Sequence, residues 1–159
     1  MYVPPAGELS CASQLLQLHS KIGGGSLLGL KRSDTLEVSK FGTVTGTWSA
    51  DNLLDISNIV EKPCAELAAK DFQVPNEESF LTMFGMYVLD SKLFGILDDL
   101  IKHDIRESNG LIGLTSALQI LQKQQGIRGT VMSGERLAIG TPEDFVTTNN
   151  KLMSRYLNG

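Results

Sequence analysis

The stretch that decides the fold reads TVTGTWSADNLLDISNIVEKP over residues 43–63. Residues 43–47 and 53–60 are rich in β-branched and apolar side chains, and the Ser-Ala-Asp-Asn segment at 49–52 between them is typical of a turn. The pattern predicts a β-hairpin whose second strand ends at Glu61-Lys62, because Pro63 cannot continue the hydrogen-bond ladder. Strand ends of this kind are common positions for ligand-binding groups in α/β sheets.

The hairpin lies in a chain of alternating helical and extended patterns. Helices are predicted over residues 9–22, 91–103, 115–125 and 142–156, and further strands over residues 26–31, 80–89 and 127–132. Residues 65–76 are predicted to form a loop with at most two helical turns. The second helix is predicted to bury Leu93, Phe94, Leu97, Leu100 and Ile101. The alternation predicts a single α/β domain over residues 1–159, with a mixed sheet and flanking helices.

Composition argues against several functional classes. The 14 Lys and Arg residues against 18 Asp and Glu residues give a net charge of −4, so no broad positive field attracts nucleic acid or an anionic membrane. The two cysteines, Cys11 and Cys64, have no Cys or His partner close in sequence. They therefore predict reduced thiols in a cytoplasmic protein. No apolar stretch reaches the roughly 20 residues that a membrane span needs, and no export signal is visible.

The glycine run at residues 23–25 invites a phosphate-loop interpretation. Such loops lead from a strand into a helix, so that the helix start faces the anion. Here the predicted helix precedes the glycines and a strand follows them. The run is therefore predicted to be a turn that ends the first helix.

Glu61 and Lys62 together carry the groups that a sugar phosphate needs. A carboxylate accepts hydrogen bonds from sugar hydroxyls, and an ammonium neutralises a phosphate. Adjacent strand residues point to opposite faces, so both side chains reach one pocket only if the chain turns beside Pro63. A solvated strand end is the alternative interpretation of this pair.

Five short motifs occur in order along the chain. They are FGTV at 41–44, VEKP at 60–63, FGMYVL at 84–89, LTSAL at 114–118 and IGTPED at 139–144. With these motifs, about residues 12–152 resemble the sugar-1-phosphate nucleotidyltransferases, and among them the bacterial UTP–glucose-1-phosphate uridylyltransferases (UDP-glucose pyrophosphorylases).

The resemblance implies a partial Rossmann-like, three-layer nucleotidyltransferase fold. It also implies an activity in which a sugar 1-phosphate, here glucose 1-phosphate, attacks the α-phosphate of UTP and releases pyrophosphate with the help of Mg²⁺. Four residues are implied to bind the sugar phosphate. Gly42 would offer its backbone to the sugar, Glu61 would bind sugar hydroxyls, Lys62 would contact the phosphate, and Met83 would lie beside the sugar.

The chain departs from the family pattern at several positions. Ala138 stands where the family has its Mg²⁺-binding Asp, and an alanine cannot ligate the ion. Leu111 and Gly113 replace an acidic residue and a glutamine, and Ser116 replaces an Asp. These changes predict reduced polar support around the site, and no metal is predicted to bind this chain alone.

The family's amino-terminal glycine-rich loop and acidic metal site have no counterpart in this sequence. The chain is therefore predicted to be the sugar-phosphate-binding, carboxy-terminal portion of such an enzyme, inactive alone and able to bind UTP only with the missing half. The alternative is a non-catalytic module that binds a sugar phosphate or contacts another subunit. Because a truncated sheet would leave an open edge, a homodimer is also predicted.

Overall fold

The computed structural model of the chain describes residues 2–107 and 110–157. Its strands are β1 (Tyr2–Val3), β2 (Leu27–Ser33), β3 (Thr43–Ala50), β4 (Leu53–Val60), β5 (Phe80–Val88), β6 (Ile127–Val131) and β7 (Glu135–Arg136). Its helices are α1 (Cys11–Lys21), α2 (Thr35–Val38), α3 (Ala65–Asp71), α4 (Lys92–Lys102), α5 (Leu114–Gln125) and α6 (Pro142–Leu157). The predicted helices and strands are all present, and the short α2, β1 and β7 were not predicted.

The chain divides into two compact units, one of Met1–Gln14 with Ser133–Gly159 and one of Leu15–Met132. The single domain expected over residues 1–159 stays a prediction, and each unit is described by itself. The candidate site lies in the larger unit.

The five strands of the larger unit form one closed circuit of hydrogen bonds in the order β2-β5-β3-β4-β6, with β6 returning to β2. β2 and β6 run parallel, whereas the other four pairings are antiparallel. The α/β class and the mixed sheet with flanking helices are therefore confirmed. Closure of the sheet was not predicted.

The open sheet edge that was expected is absent from the described part of the larger unit, where every strand has a neighbour on both sides. β4 pairs with β3 along its length and with β6 through Leu54, Asp55 and Ile56. Beyond that point, Gln119 and Gln122 of α5 donate their side-chain N–H groups to backbone carbonyls of β4. The expected edge is absent because β6 pairs with both β4 and β2 and closes the circuit, and α5 bonds the part of β4 beyond that pairing. The homodimer stays a prediction, without this argument for it.

The tip of the β3–β4 hairpin is fixed to β6 by one side chain. Asn52 adopts a positive φ of 54°, which asparagine tolerates in tight turns. Its amide nitrogen donates to the Val131 carbonyl at 2.8 Å, and its amide oxygen accepts from the Val131 N–H at 3.0 Å. The Asn52 side chain thus continues the hydrogen bonding between the hairpin and β6 beyond Leu54.

The glycine run ends α1, as predicted. Gly23, Gly24 and Gly25 all have positive φ, which other residues adopt at a cost. Arg128 donates from its guanidinium to the carbonyls of Ile22 at 3.3 Å and Gly24 at 2.6 Å. The turn is therefore tied to the start of β6.

The buried face of α4 differs from the predicted one. Leu93, Ile96 and Leu100 are buried, and Leu97 packs beside them. Phe94 is 74% exposed and Ile101 is 61% exposed, so their predicted burial was wrong. These two residues lie seven positions apart on a stripe next to the buried i, i+3, i+4, i+7 face.

The smaller unit contains the β1–β7 ladder and α6. Thr141 accepts the N–H of Asp144 at 3.1 Å, so the predicted cap of this helix is confirmed. Lys151 and Arg155 both contact Glu135. In the described ranges of both units, no helix is long and apolar enough to cross a membrane.

Two glycine substitutions test the strand packing. At Gly46 a Cβ would lie 2.1 Å from the carbonyl oxygen of Asp55, which is backbone and cannot move aside. Gly46→Ala is expected to lower the free energy of unfolding by about 1–3 kcal/mol. At Gly95, on the exposed side of α4, a Cβ would meet nothing within 4 Å. Gly95→Ala is expected to raise the free energy by about 1 kcal/mol. Urea unfolding measures both, and equal stability of the two variants would contradict the register at Gly46.

Candidate functional site

The chain turns sharply where β4 ends. Lys62 has a φ of +43°, a left-handed conformation that costs a non-glycine residue about 1–2 kcal/mol. The turn takes Lys62 out of the strand alternation, so its Nζ lies 3.8 Å from Oε1 of Glu61. The side chains of Glu61 and Lys62 therefore reach the same place, as they must if both are to line one pocket. Because both side chains are partly exposed, the ion pair itself adds little stability.

The carboxylate of Glu61 is oriented by a hydroxyl from α5. Thr115 Oγ1 donates to Glu61 Oε2 at 2.6 Å, and Thr115 itself is only 8% exposed. The side chain of Glu61 is 36% exposed. One carboxylate oxygen is thus held by the protein while the other faces Lys62 and solvent, as a carboxylate that accepts ligand hydroxyls requires.

Gly42 and Met83 complete the wall around Glu61. The N–H of Met83 donates to the Gly42 carbonyl at 2.7 Å. A Cβ placed on Gly42 would lie 2.2 Å from Cε of Met83 and 3.2 Å from Oε2 of Glu61. The absence of a side chain at Gly42 lets Cε of Met83 and the carboxylate of Glu61 approach its backbone closely. The structure thus brings together Gly42, Glu61 and Met83, with Lys62 at their side.

Tyr87 lies within the electrostatic field of Glu61. Burial raises the pKa of the Tyr87 phenol above its usual value, and the negative charge of Glu61 raises it further, while a hydrogen bond with the Gly85 backbone opposes both. Gly85 has a φ of +82° and lies where the β2–β5 register shifts. The irregularity lies between Met83 and Tyr87 in the strand that contributes both to the site.

One face of α5 places the helix against β4. Thr115, Gln119 and Gln122 lie at i, i+4 and i+7, so they share a stripe. Gln119 donates to the Ile59 carbonyl at 2.7 Å and Gln122 to the Ile56 carbonyl at 3.0 Å. Because the three side chains bond successive points on β4 and its end, the helix holds Thr115 at Glu61.

The start of α5, where the chain departs from the family pattern, has a polar contact that the sequence did not predict. Glu107 Oε1 accepts the Ser116 hydroxyl at 2.8 Å and the Ser116 N–H at 3.3 Å. A Cβ on Gly113 would lie 1.8 Å from the same oxygen. The carboxylate of Glu107 thus occupies the room beside Gly113 and bonds Ser116, whereas the expectation of reduced polar support around Glu61 stays a prediction. Leu111 is 63% exposed.

The described residues, 2–107 and 110–157, form no cluster of three or more His, Cys, Asp or Glu side chains that could hold a metal ion. Ala138 contributes a backbone carbonyl, which accepts the Thr148 hydroxyl at 2.5 Å. Mg²⁺ prefers carboxylate oxygens and retained waters, and the family Asp is missing at this position.

Sequence reasoning missed Thr115, Tyr87 and Glu107. The first two lie inside motifs that carried the family resemblance, yet nothing in their spacing showed that they meet Glu61. Glu107 lies outside all five motifs. A hydroxyl in the first turn of a predicted helix was the available signal for Thr115.

Known proteins share both the sequence pattern and the fold. The chain is 27% identical over 133 residues to the UTP–glucose-1-phosphate uridylyltransferase YngB of Bacillus subtilis, covering 84% of this chain and 40% of that protein. It is 25% identical over 142 residues to the UTP–glucose-1-phosphate uridylyltransferase of Pseudomonas aeruginosa, covering 89% of this chain and 46% of that protein. The chain resembles these uridylyltransferases. Because the matches cover 40% and 46% of those proteins, the chain spans less than half the length of these two relatives.

Solved structures agree with this resemblance. A UDP-glucose pyrophosphorylase complexed with UDP-glucose matches with a TM-score of 0.80 and 25% identity, over 97% of this chain and 53% of that one. A UTP-bound UGPase from Acinetobacter baumannii shares the fold, with a TM-score of 0.71 at 18% identity. No established family model matches the chain. The similarity to part of a uridylyltransferase, expected from the motifs, is confirmed.

The pKa of Tyr87 tests the geometry around Glu61. Glu61→Gln removes a negative charge that favours the neutral phenol, so the pKa of Tyr87 is expected to fall. Carbon-13 NMR of labelled tyrosine side chains measures the shift. Asp55→Asn is the matched control, because Asp55 lies six residues earlier, roughly 20 Å along an extended chain. An equal response to both variants would place Tyr87 outside the field of Glu61.

Proposed function

We propose that this chain is the sugar-phosphate-binding, carboxy-terminal portion of an enzyme that makes UDP-glucose from glucose 1-phosphate and UTP with release of pyrophosphate. The single observation that carries the proposal is the convergence of Gly42, Glu61 and Met83, with Lys62 beside Glu61. The resemblance to uridylyltransferases over most of the chain supports the same reaction class.

Each residue of the site has a separate chemical task. The carboxylate of Glu61, held on one side by Thr115, accepts hydrogen bonds from sugar hydroxyls. Lys62, with a side chain 60% exposed, pairs with the phosphate. Gly42 offers its backbone to the sugar, and Met83, whose Cε lies against Gly42, supplies an adaptable apolar wall.

Nucleotide chemistry belongs to the complete enzyme in this proposal. Phosphoryl transfer depends on positioning and on charge neutralisation by Mg²⁺, and Ala138 stands where the resemblance implies an Asp ligand of that ion. No residue of this chain alone is therefore assigned a catalytic role. UTP binding is assigned to the portion of the enzyme that this chain does not match, and the cytoplasmic location stays a prediction.

Ala138 favours a second candidate function. An alanine at the position of the family's metal-binding Asp suits a module that still binds a sugar phosphate but no longer takes part in catalysis. The two candidates share the sugar-phosphate site. They differ in whether a nucleotide-binding partner restores turnover.

Calorimetric titration with glucose 1-phosphate and with glucose tests the site. Glu61→Gln is expected to weaken binding of both ligands by about tenfold or more, because a hydrogen bond to a charged group contributes about 1.5–3 kcal/mol. Lys62→Met is expected to weaken binding of glucose 1-phosphate alone, because glucose carries no phosphate. Equal affinity of wild type and Glu61→Gln for glucose 1-phosphate would remove Glu61 from the site.

Two alanine variants provide a matched steric pair for the same titration. Gly42→Ala is expected to weaken glucose 1-phosphate binding, because the new Cβ displaces Cε of Met83 and crowds the carboxylate of Glu61. The contact is with the tip of a flexible side chain, so the fold is expected to persist. Gly95→Ala adds the same methyl group where nothing lies within 4 Å, and is expected to bind like wild type.

Nucleotide titration tests the assignment of UTP to the unmatched portion. UTP with MgCl₂ is expected to give no binding heat with this chain, whether or not glucose 1-phosphate is present. Magnesium-dependent binding of UTP would contradict it. Light scattering of the same samples tests the predicted homodimer. A monomer at all concentrations would contradict that prediction.

A further inference from the structure

Helix α5 begins without a capping side chain of its own. Its N-cap residue, Gly113, is extended at φ −97° and ψ 145° and has no side chain to bond the N–H groups of the first turn. Glu107, six residues before it, supplies the missing acceptor. Its Oε1 accepts both the N–H and the hydroxyl of Ser116, the third residue of the helix.

Gly113 is the residue that makes this cap possible. A Cβ at that position would lie 1.8 Å from Oε1 and 2.1 Å from the carboxyl carbon of Glu107. Any other residue would displace the carboxylate from Ser116. A negative charge at a helix N-terminus is also favourable, since the first N–H groups carry a partial positive charge.

The capped turn is the one that reaches the candidate site. Thr115 precedes Ser116 in the same turn, and its hydroxyl donates to Glu61 at 2.6 Å. This length is typical of a hydroxyl that donates to a carboxylate, so the position of the first turn of α5 sets whether the bond forms. We propose that Glu107 is a positioning residue that fixes the first turn of α5, so that Thr115 orients the carboxylate of Glu61 for the sugar. The role toward the sugar rests on the proposed function.

A double-mutant cycle tests whether Glu107 acts through Thr115. Glu107→Ala is expected to weaken glucose 1-phosphate binding about fivefold, the loss typical of one hydrogen bond. In a Thr115→Val background the link to Glu61 is already removed, so Glu107→Ala is expected to change the affinity less than about 1.5-fold. Equal effects in the two backgrounds would overturn the proposal.

Glu143→Ala is the matched control for charge and helix position. Glu143 is an exposed acidic residue in the first turn of α6, and its removal changes the net charge by the same amount. Its affinity for glucose 1-phosphate is expected to equal that of wild type. A fivefold loss with Glu143→Ala would show that the Glu107 effect is one of general charge, and would overturn the positioning role.

Amide hydrogen exchange tests the cap independently of any ligand. Glu107→Ala is expected to speed exchange of the Ser116 amide about tenfold, because the N–H loses its acceptor. Adding Ser116→Asp to Glu107→Ala returns a carboxylate to the helix start and is expected to restore slow exchange. Ser116→Asp with Glu107 present brings two carboxylates together and is expected to destabilise the turn.

The affinity measurements and the hydrogen-exchange measurements test the proposed function and the role of Glu107 separately. If wild type does not bind glucose 1-phosphate, the proposed function fails, and the exchange arm still decides whether Glu107 fixes the start of α5. Unchanged exchange of the Ser116 amide in Glu107→Ala would overturn the inference even where the sugar phosphate binds normally.

Discussion

The structure of the larger unit depends on hydrogen bonds between one face of α5 and the second half of β4. β6 pairs with β4 only as far as Ile56. From that residue on, α5 supplies the partners. Gln122 bonds the Ile56 carbonyl, Gln119 bonds the Ile59 carbonyl, and Thr115 bonds the side chain of Glu61. Buried backbone carbonyls without partners are costly, so these glutamines satisfy a requirement that a further strand would otherwise meet. The strands close the sheet, and the helix satisfies the carbonyls of β4 and reaches the candidate site.

This arrangement explains how a strand end becomes a binding site. Glu61 follows directly after β4, and one oxygen of its carboxylate already accepts a hydrogen bond from Thr115. The left-handed turn at Lys62 then brings an ammonium to the other oxygen. Strained backbone at such a position is typical of sites that hold a ligand. Rigid secondary structure positions Glu61, whereas Lys62 keeps the mobility of a long exposed side chain.

Local features of the fold could be predicted from the sequence, and features set by distant contacts could not. The hairpin, the glycine turn at 23–25 and the cap at Thr141 follow from propensities over a few residues, and all three are confirmed. Four candidate site residues came from motif resemblance, and their convergence needed the structure. Closure between β4 and β6 joins segments about 70 residues apart, whose pairing no local pattern encodes, and the cap from Glu107 spans nine residues through a turn that the sequence did not predict. For Phe94 and Ile101, an apolar character alone did not reveal which stripe of the helix is buried.

Closure of the strand circuit has a consequence for how the chain reaches its native state. The parallel pairing of β2 with β6 joins residues such as Leu27 and Arg128, about 100 positions apart, and contacts of such long range slow folding. On the ribosome, the hairpin and β5 emerge well before β6, so the incomplete sheet exposes unpaired strands until the last one arrives. Asn52 then has a second part in the process, because its amide can engage Val131 only when that final strand is present. The contact between the hairpin tip and Val131 therefore forms only with the last strand of the circuit, and it stabilises the closed sheet rather than any partly assembled one.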